Sequence, residues 1–317
     1  MDYKNLNIIF IGFTCSLSLC KSFVFTHNII LRKILQCYFI TDSIKNYDRL
    51  DIILHHIIFA TFSQVCNVNE LYINLFFEWT TLFLLLYKKY KYTSFKYIFA
   101  ISWIILRLIW SPFIFYQIIN TKQSINDKYL YNTAIIIIHS LFNHWTCQIL
   151  HKNIDTHYGF SSMLLYAIPL FTFITNNTLT FENYTLIYIQ SLISFYYNVI
   201  RQQKTTIKYW PLILAIDTSF ITIFSSKYLG FPTKYTYSIP LLNFIIKSFF
   251  PHSELHSCLF AYSIFRLCIH KPYVIPFILP GMLAQSCLLI FNRKYETLLH
   301  KYLWHFSCGV AISQISF

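Results

Sequence analysis

Two groups of side chains able to do acid–base or ligand chemistry lie within or beside long apolar runs. In the first, Tyr38 and Asp42 end one run, and Asp51, His55 and His56 open the next. A carboxylate beside an imidazole fixes its tautomer and raises its basicity, which a general base needs. Asp51 and His55 have the i,i+4 spacing that places two side chains on one helical face. The adjacent rings of His55 and His56 point about 100° apart on a helix, so a given partner faces only one of them. His55, His56, Asp51 and Asp42 are therefore the candidate catalytic residues. Arg107 lies well inside a later run, followed by Pro112. An arginine at that depth requires a carboxylate, and Glu78 is the expected structural partner.

The second group is spread over the C-terminal half: Ser194 and Asn198, then Asp217, then Lys301 and His305. With spans alternating in direction, all approach the bilayer from one side. Asp217 pairing with Lys301 or Lys208 inside a bundle would satisfy both charges without catalysis. His252-Ser-Glu-Leu-His256 lacks the metalloprotease order, because its glutamate does not directly follow the first histidine. It follows Pro251 in a connection, and no metal site is expected there. The chain has five glycines and no Gly-rich phosphate loop, no nucleophile elbow, and no pattern that reads nucleic acid.

These residues must be positioned by membrane-spanning helices. The chain is 56% apolar and only 12% charged, half the charged fraction of an ordinary soluble domain. With about 20 apolar residues needed per span, the runs predict an all-α, polytopic transmembrane bundle of about thirteen spans in two halves. The polar connection His151–Tyr158 is the expected boundary, giving a domain over 1–155 with about six spans and another over 156–317 with about seven. The net charge of +13 is carried by short connections: Lys88, Lys89, Lys91 and Lys96 in one, Arg201, Lys204 and Lys208 in another, Arg293 and Lys294 in a third. All three fall on one side, expected to be cytosolic together with the N-terminus. An opposite loop carries the sequons Asn176-Asn177-Thr178 and Asn183-Tyr184-Thr185, as a lumenal loop can. Nine scattered cysteines, with no Cys-x-x-Cys pair, read as small apolar residues. The first apolar run lacks a clear cleavage site and is expected to be a retained span.

In order and spacing, Tyr38 and Asp42, Asp51 to His56, Glu70 to Trp79, and Arg107 to Pro112 resemble the TLC-domain family of endoplasmic-reticulum and Golgi membrane proteins. That family is concerned with ceramide synthesis and membrane lipid composition. Two departures stand out. Glu78 occupies the position where an arginine usually precedes the tryptophan, and the His-Asp-x-x-Asp stretch of ceramide synthases is missing after His56. The resemblance thus implies the broader TLC class rather than acyl-CoA-dependent ceramide synthesis. Ser194, Asn198, Asp217, Lys301 and His305 resemble the pattern of the seven-span CREST superfamily, which includes alkaline ceramidases and progestin and adipoQ receptor proteins. There, three histidines hold a zinc whose bound water attacks an amide. Asn198 and Lys301 stand where two of those histidines belong. A protonated lysine cannot ligate, asparagine substitutes poorly for imidazole, and shifting to His300 gives a five-residue step off the helical face. Neither zinc nor any other cofactor is expected.

The implied function is a multi-pass protein of sphingolipid or phospholipid metabolism or homeostasis, binding an acyl-chain lipid in the TLC-like half. Its enzymatic form would be a lipid acyltransferase or amide hydrolase on ceramide-like substrates. The alternatives are a non-catalytic lipid sensor, scaffold or regulator, and a transporter or channel. The expected partners are membrane lipids, not nucleic acid, and the expected location is the endoplasmic reticulum or Golgi.

Overall fold

The computed structural model describes residues 3–151, 154–202, 210–251, 255–291 and 297–314. Among them all secondary structure is helical. Helices Thr93–Thr121 and His157–Thr175 are long and apolar enough to cross a membrane. A third candidate is the pair His256–His270 and Pro272–Leu288, bent by 115° at its break. The chain forms two compact units, 1–121 and 122–317. The expected boundary at His151–Tyr158 lies later, because the helix Ile125–Leu150 packs on helices of the second unit.

The first unit comprises α1 (Tyr3–Leu17), α2 (Lys21–Thr26), α3 (Asn28–Lys45), α4 (Leu50–Val65), α5 (Val68–Leu75), α6 (Glu78–Tyr90), α7 (Thr93–Ser102) and α8 (Ser111–Thr121), with a π-helical segment, Trp103–Trp110, joining the last two. Helices α3 and α4 form a hairpin. Its open end is tied by Arg32, which donates to the carbonyls of Ser63 (2.5 Å) and Cys66 (2.8 Å). Those carbonyls end α4 and would otherwise be orphaned, so the arginine that interrupts the second apolar run acts as a cap. The apolar run Leu71–Tyr87, long enough on its own to predict one span, is broken at Phe76–Phe77. Its first part, α5, starts in a capping box, Asn67 Oδ1 accepting from the Glu70 amide (2.9 Å) and Glu70 Oε2 from the Asn67 amide (3.1 Å). The π segment runs up to Pro112, which has no N–H to give to the carbonyl four residues back. Just before it, the Ser111 amide donates five residues back, to Leu106 O, and the Ser111 hydroxyl caps Arg107 O at 2.8 Å.

The second unit comprises α9 (Ile125–Leu150), α10 (His157–Phe160), α11 (Leu164–Thr175), α12 (Phe181–Gln202), α13 (Trp210–Tyr228), α14 (Thr233–Phe249), α15 (Leu255–His270), α16 (Ile275–Phe291) and α17 (Leu298–Ser313), with a 3₁₀ turn, Ser161–Met163, joining α10 to α11. Helix α17 packs between α11 and α16, while α12 packs on α11 and α13. Two glycines permit the approach to α17. A Cβ on Gly281 of α16 would lie 2.6 Å from Leu303 O, and one on Gly309 of α17 would lie 2.7 Å from Leu164 O. Close backbone approach at small residues is how helices associate where the surroundings are as apolar as their side chains. Polarity in this unit is turned inward: Ser161, Ser162, Gln190, Ser191, Thr222 and Asn243 are buried, while Leu241, Leu242, Phe265, Phe277 and Leu283 are exposed.

Candidate functional site

In the first unit the α3–α4 hairpin brings Asp42 and His56 together, with His56 Nδ1 3.4 Å from Asp42 Oδ2. Both are buried, as is His55, whose ring packs against Phe59 (4.5 Å between centroids) and His56 (5.4 Å). Asp51 takes a bidentate bond from Arg49, Nε to Oδ1 at 3.0 Å and Nη2 to Oδ2 at 2.8 Å. The i,i+4 relation of Asp51 to His55 is thus present on the helix, but the carboxylate's close ion pair is made two residues back along the chain. That pairing raises the pKa of Arg49, which lies just before the span. A guanidinium two residues away offers two parallel donors at once, a geometry an imidazole cannot match.

Arg107 is 2% exposed and lies within the π-helical segment. Its Nε donates to Thr80 Oγ1 (3.0 Å) and its Nη2 to Phe77 O (2.8 Å), and its guanidinium stands 5.3 Å from the centre of the Phe77 ring. Glu78, also buried, lies within electrostatic range of Arg107. Arg107 therefore stitches the π segment to the break between α5 and α6. A hollow of about 20 Å³ lies beside Glu78, lined by Leu35, Phe39, Phe59, Phe62 and Leu71 among others. That is room for about one water.

A larger hollow lies in the second unit. Ser194, Asn198, Asp217, Lys301 and His305, five residues from three helices, all line one cavity of about 100 Å³. Lys301, 3% exposed, donates from Nζ to Asn198 Oδ1 at 2.9 Å. The Asn198 amide nitrogen donates in turn to Ser194 O (2.8 Å) and Ser162 Oγ (3.1 Å). Asp217 Oδ1 accepts from Gln190 Nε2 at 2.8 Å, and His305 Nδ1 meets Ser161 Oγ at 2.8 Å. The Lys301 ammonium also lies 4.9 Å from the centre of the Tyr158 ring. The cavity adjoins a second hollow of about 40 Å³ that shares Ser194, Asp217, Trp304 and His305 but is otherwise walled mainly by apolar side chains, Leu165, Ile221, Phe224, Phe260 and Ile312.

This donor set does not fit zinc. A structural or hydrolytic zinc needs three or four nitrogen, sulfur or carboxylate ligands with free lone pairs. Lys301 Nζ here is a hydrogen-bond donor, and the Asn198 oxygen accepts from it. Among the described residues no group of three or more His, Cys, Asp and Glu converges in a way that could hold a metal ion. Of the His252–His256 pair, His252 lies outside the described residues, as do Lys204, Lys208, Arg293 and Lys294.

Several contributors were not singled out from the sequence. Gln190 stands four residues before Ser194 and eight before Asn198, so the three form one polar stripe along α12. Arg201, read as a loop charge, lines the cavity, as do Tyr197, Gln285 and His300, the last set aside above as a zinc ligand. His300 also belongs to the start of α17, where its Nδ1 accepts from the Thr297 amide at 3.3 Å. Ser161 and Ser162 enter from the turn before α11, where nothing in the local spacing marks them.

No family model, curated protein or solved structure matches this chain.

Proposed function

We propose that the chain is a multi-pass membrane protein of lipid metabolism or homeostasis that holds a sphingolipid or phospholipid, headgroup in the polar cavity and acyl chain toward the apolar hollow. One observation carries this reading: a polar chamber and an apolar one adjoin and share Ser194, Asp217, Trp304 and His305. An amphiphile is the ligand whose own polarity changes over that distance. The outward apolar and inward polar distribution of the second unit supports insertion in a bilayer, where every buried polar group needs an internal partner. The complete arrangement on this reading has about thirteen spans, the shorter helices included, in an endoplasmic-reticulum or Golgi type membrane with a cytosolic N-terminus. In the first unit, the His56–Asp42 pair is a separate candidate contact.

Within this function the non-catalytic form, a lipid sensor, scaffold or regulator, has the better support. Ser161, the hydroxyl in contact with His305, is fully buried, and the cavity lining given by Ser194, Asn198, Lys301 and His305 lacks it. A serine nucleophile must reach its substrate, so this pair supports helix packing. The transporter reading would need a continuous polar path, and the apolar walls around the inner hollow oppose it.

Feeding cells a photoreactive, clickable fatty acid and irradiating them tests the proposal. The expected adducts lie on peptides carrying Leu165, Phe224 or Ile312. Adducts confined to outward residues such as Leu241 and Phe265, or none above an unrelated membrane protein, would overturn it.

A further inference from the structure

The cavity in the second unit is asymmetric in charge. Lys301 and Arg201 line the polar chamber and not the apolar one, whereas Asp217 lines both. Gln190, which binds Asp217, precedes Arg201 by eleven residues on α12, about 16 Å along the helix. The cations therefore gather toward the end of α12 and the start of α17, and the acid lies deeper, held by an amide. Tyr197 and His300 add further donors at the cationic end. A neutral amide or hydroxyl headgroup would use the charge of neither cation, whereas an anionic one entering the chamber meets both.

We infer that the polar chamber is a receptor for a phosphate-bearing lipid headgroup, bound by Lys301 and Arg201 without a metal ion. This rests on the lipid-handling function proposed above and names the class of lipid. An arginine fork with a lysine point charge suits a tetrahedral oxyanion, which offers several acceptor oxygens in different directions. The adjoining apolar hollow selects the lipid over free phosphate, because the first methylenes beyond the headgroup fall among Leu165, Phe224 and Ile312. The position that the CREST-like pattern would give to a zinc ligand is thus taken by a cation that itself meets the ligand. Asn198 holds that cation in place from the opposite helix.

Binding of three probes to the purified full-length chain in neutral detergent separates the possibilities: a short-chain phosphatidic acid, the matching short-chain diacylglycerol, and glycerol 3-phosphate. Phosphatidic acid is expected to bind about tenfold or more tightly than either of the others, the worth of one charge-assisted hydrogen bond. Arg201→Gln and Lys301→Met are each expected to erase most of that preference. Arg201 is only partly buried, so its variant decides the question if Lys301→Met fails to fold. Equal binding of phosphatidic acid and diacylglycerol would overturn the phosphate assignment and leave the lipid function standing. Binding of neither lipid would overturn both. Glycerol 3-phosphate binding as tightly as phosphatidic acid would replace the lipid by a soluble phosphate and overturn the inference.

Discussion

Lys301 and Asn198, 103 residues apart in the chain, meet in a hydrogen bond of 2.9 Å between α17 and α12. They stand at the two positions where the three-histidine pattern that this half resembles would have imidazoles, and they satisfy each other. The lysine brings a charge with no lone pair to spare, and the asparagine brings an oxygen that accepts from it. Their contact also shows that the two positions face each other across one cavity with His305 beside them. Placing imidazoles at both positions should therefore create a metal site. Asn198→His/Lys301→His is expected to purify with about one zinc per chain, the content of a three-histidine site, and the parent chain with none. Elemental analysis of the folded proteins checks this. A folded, zinc-free double variant would show that the three positions do not converge.

The approach of α17 to its neighbours depends on the absence of two methyl groups. Gly281→Ala would place Cβ 2.6 Å from Leu303 O, and Gly309→Ala would place it 2.7 Å from Leu164 O. Backbone oxygens cannot swing aside, so the helices must part. Each substitution is expected to cost about 1–3 kcal/mol, the usual range for overpacking. Gly12→Ala is the control, since nothing lies within 4 Å of its added Cβ. There the exchange should be neutral or stabilising by about 0.5–1 kcal/mol, because glycine weakens a helix interior. Thermal unfolding in detergent measures all three, and an unchanged midpoint for Gly281→Ala would contradict the packing.

Arg107 is held by a hydroxyl and a main-chain carbonyl, with the buried Glu78 within electrostatic range. Thr80→Val keeps the shape and removes one acceptor, which should cost about 1.5–3 kcal/mol for a hydrogen bond to a charged group. Arg107→Lys should not preserve stability, because a single ammonium cannot reproduce the separate directions of Nε and Nη2. Stability of Arg107→Lys equal to the parent, read by chemical unfolding in detergent, would mean that charge alone is what the site uses.

Sequence alone makes some of this organisation legible. Costly polar groups stand out against apolar runs, so Asp42, His56, Arg107, Ser194, Asn198, Asp217, Lys301 and His305 could be picked without a structure. Helical alternation places the second group on one side, and its members share a cavity. Partner choice is less visible. The Asp51–His55 spacing is real, yet Arg49 reaches Asp51 with two donors, because short-range bidentate geometry competes with helical periodicity. Breaks are also hard to see where nothing marks them: Phe76 and Phe77 interrupt one apolar run with no proline or glycine to announce it, whereas the 115° bend at Lys271 falls between two runs and is followed by Pro272. Apolar length, in short, marks which segments prefer lipid but not where the backbone turns.

Outside the spans, Glu182 accepts from Lys227 and from the Tyr237 hydroxyl, the latter at 2.6 Å. Both bonds favour its ionised form and hold the carboxyl below its usual range, the lysine contributing most. A carboxyl depressed by folding adds stability above its unfolded pKa of about 4.3 and loses it as pH falls through the folded value. The parent chain should therefore exceed Glu182→Gln in unfolding midpoint by a constant margin near neutral pH, with the margin closing below about pH 4. Because Glu182 is more than half exposed, that margin should be small, within about 1 kcal/mol. A margin that grows on acidification would contradict the described pairing.

The two sequons differ in a way that tests both burial and sidedness. Asn176 ends α11 in an exposed turn, whereas Asn183, in the first turn of α12, is 2% exposed. A glycan is a large hydrophilic group and can be carried only where the asparagine reaches solvent. On the proposed orientation, with the basic connections cytosolic, the α11–α12 turn would face the lumen and Asn176 would be the accessible acceptor. Expression with glycosylation-competent microsomes should give a mobility shift that Asn176→Gln abolishes and Asn183→Gln leaves intact. A shift lost only in Asn183→Gln would contradict the packing of α12. The lack of any shift in the parent chain, alongside modification of a sequon appended to the N-terminus, would reverse the assigned orientation.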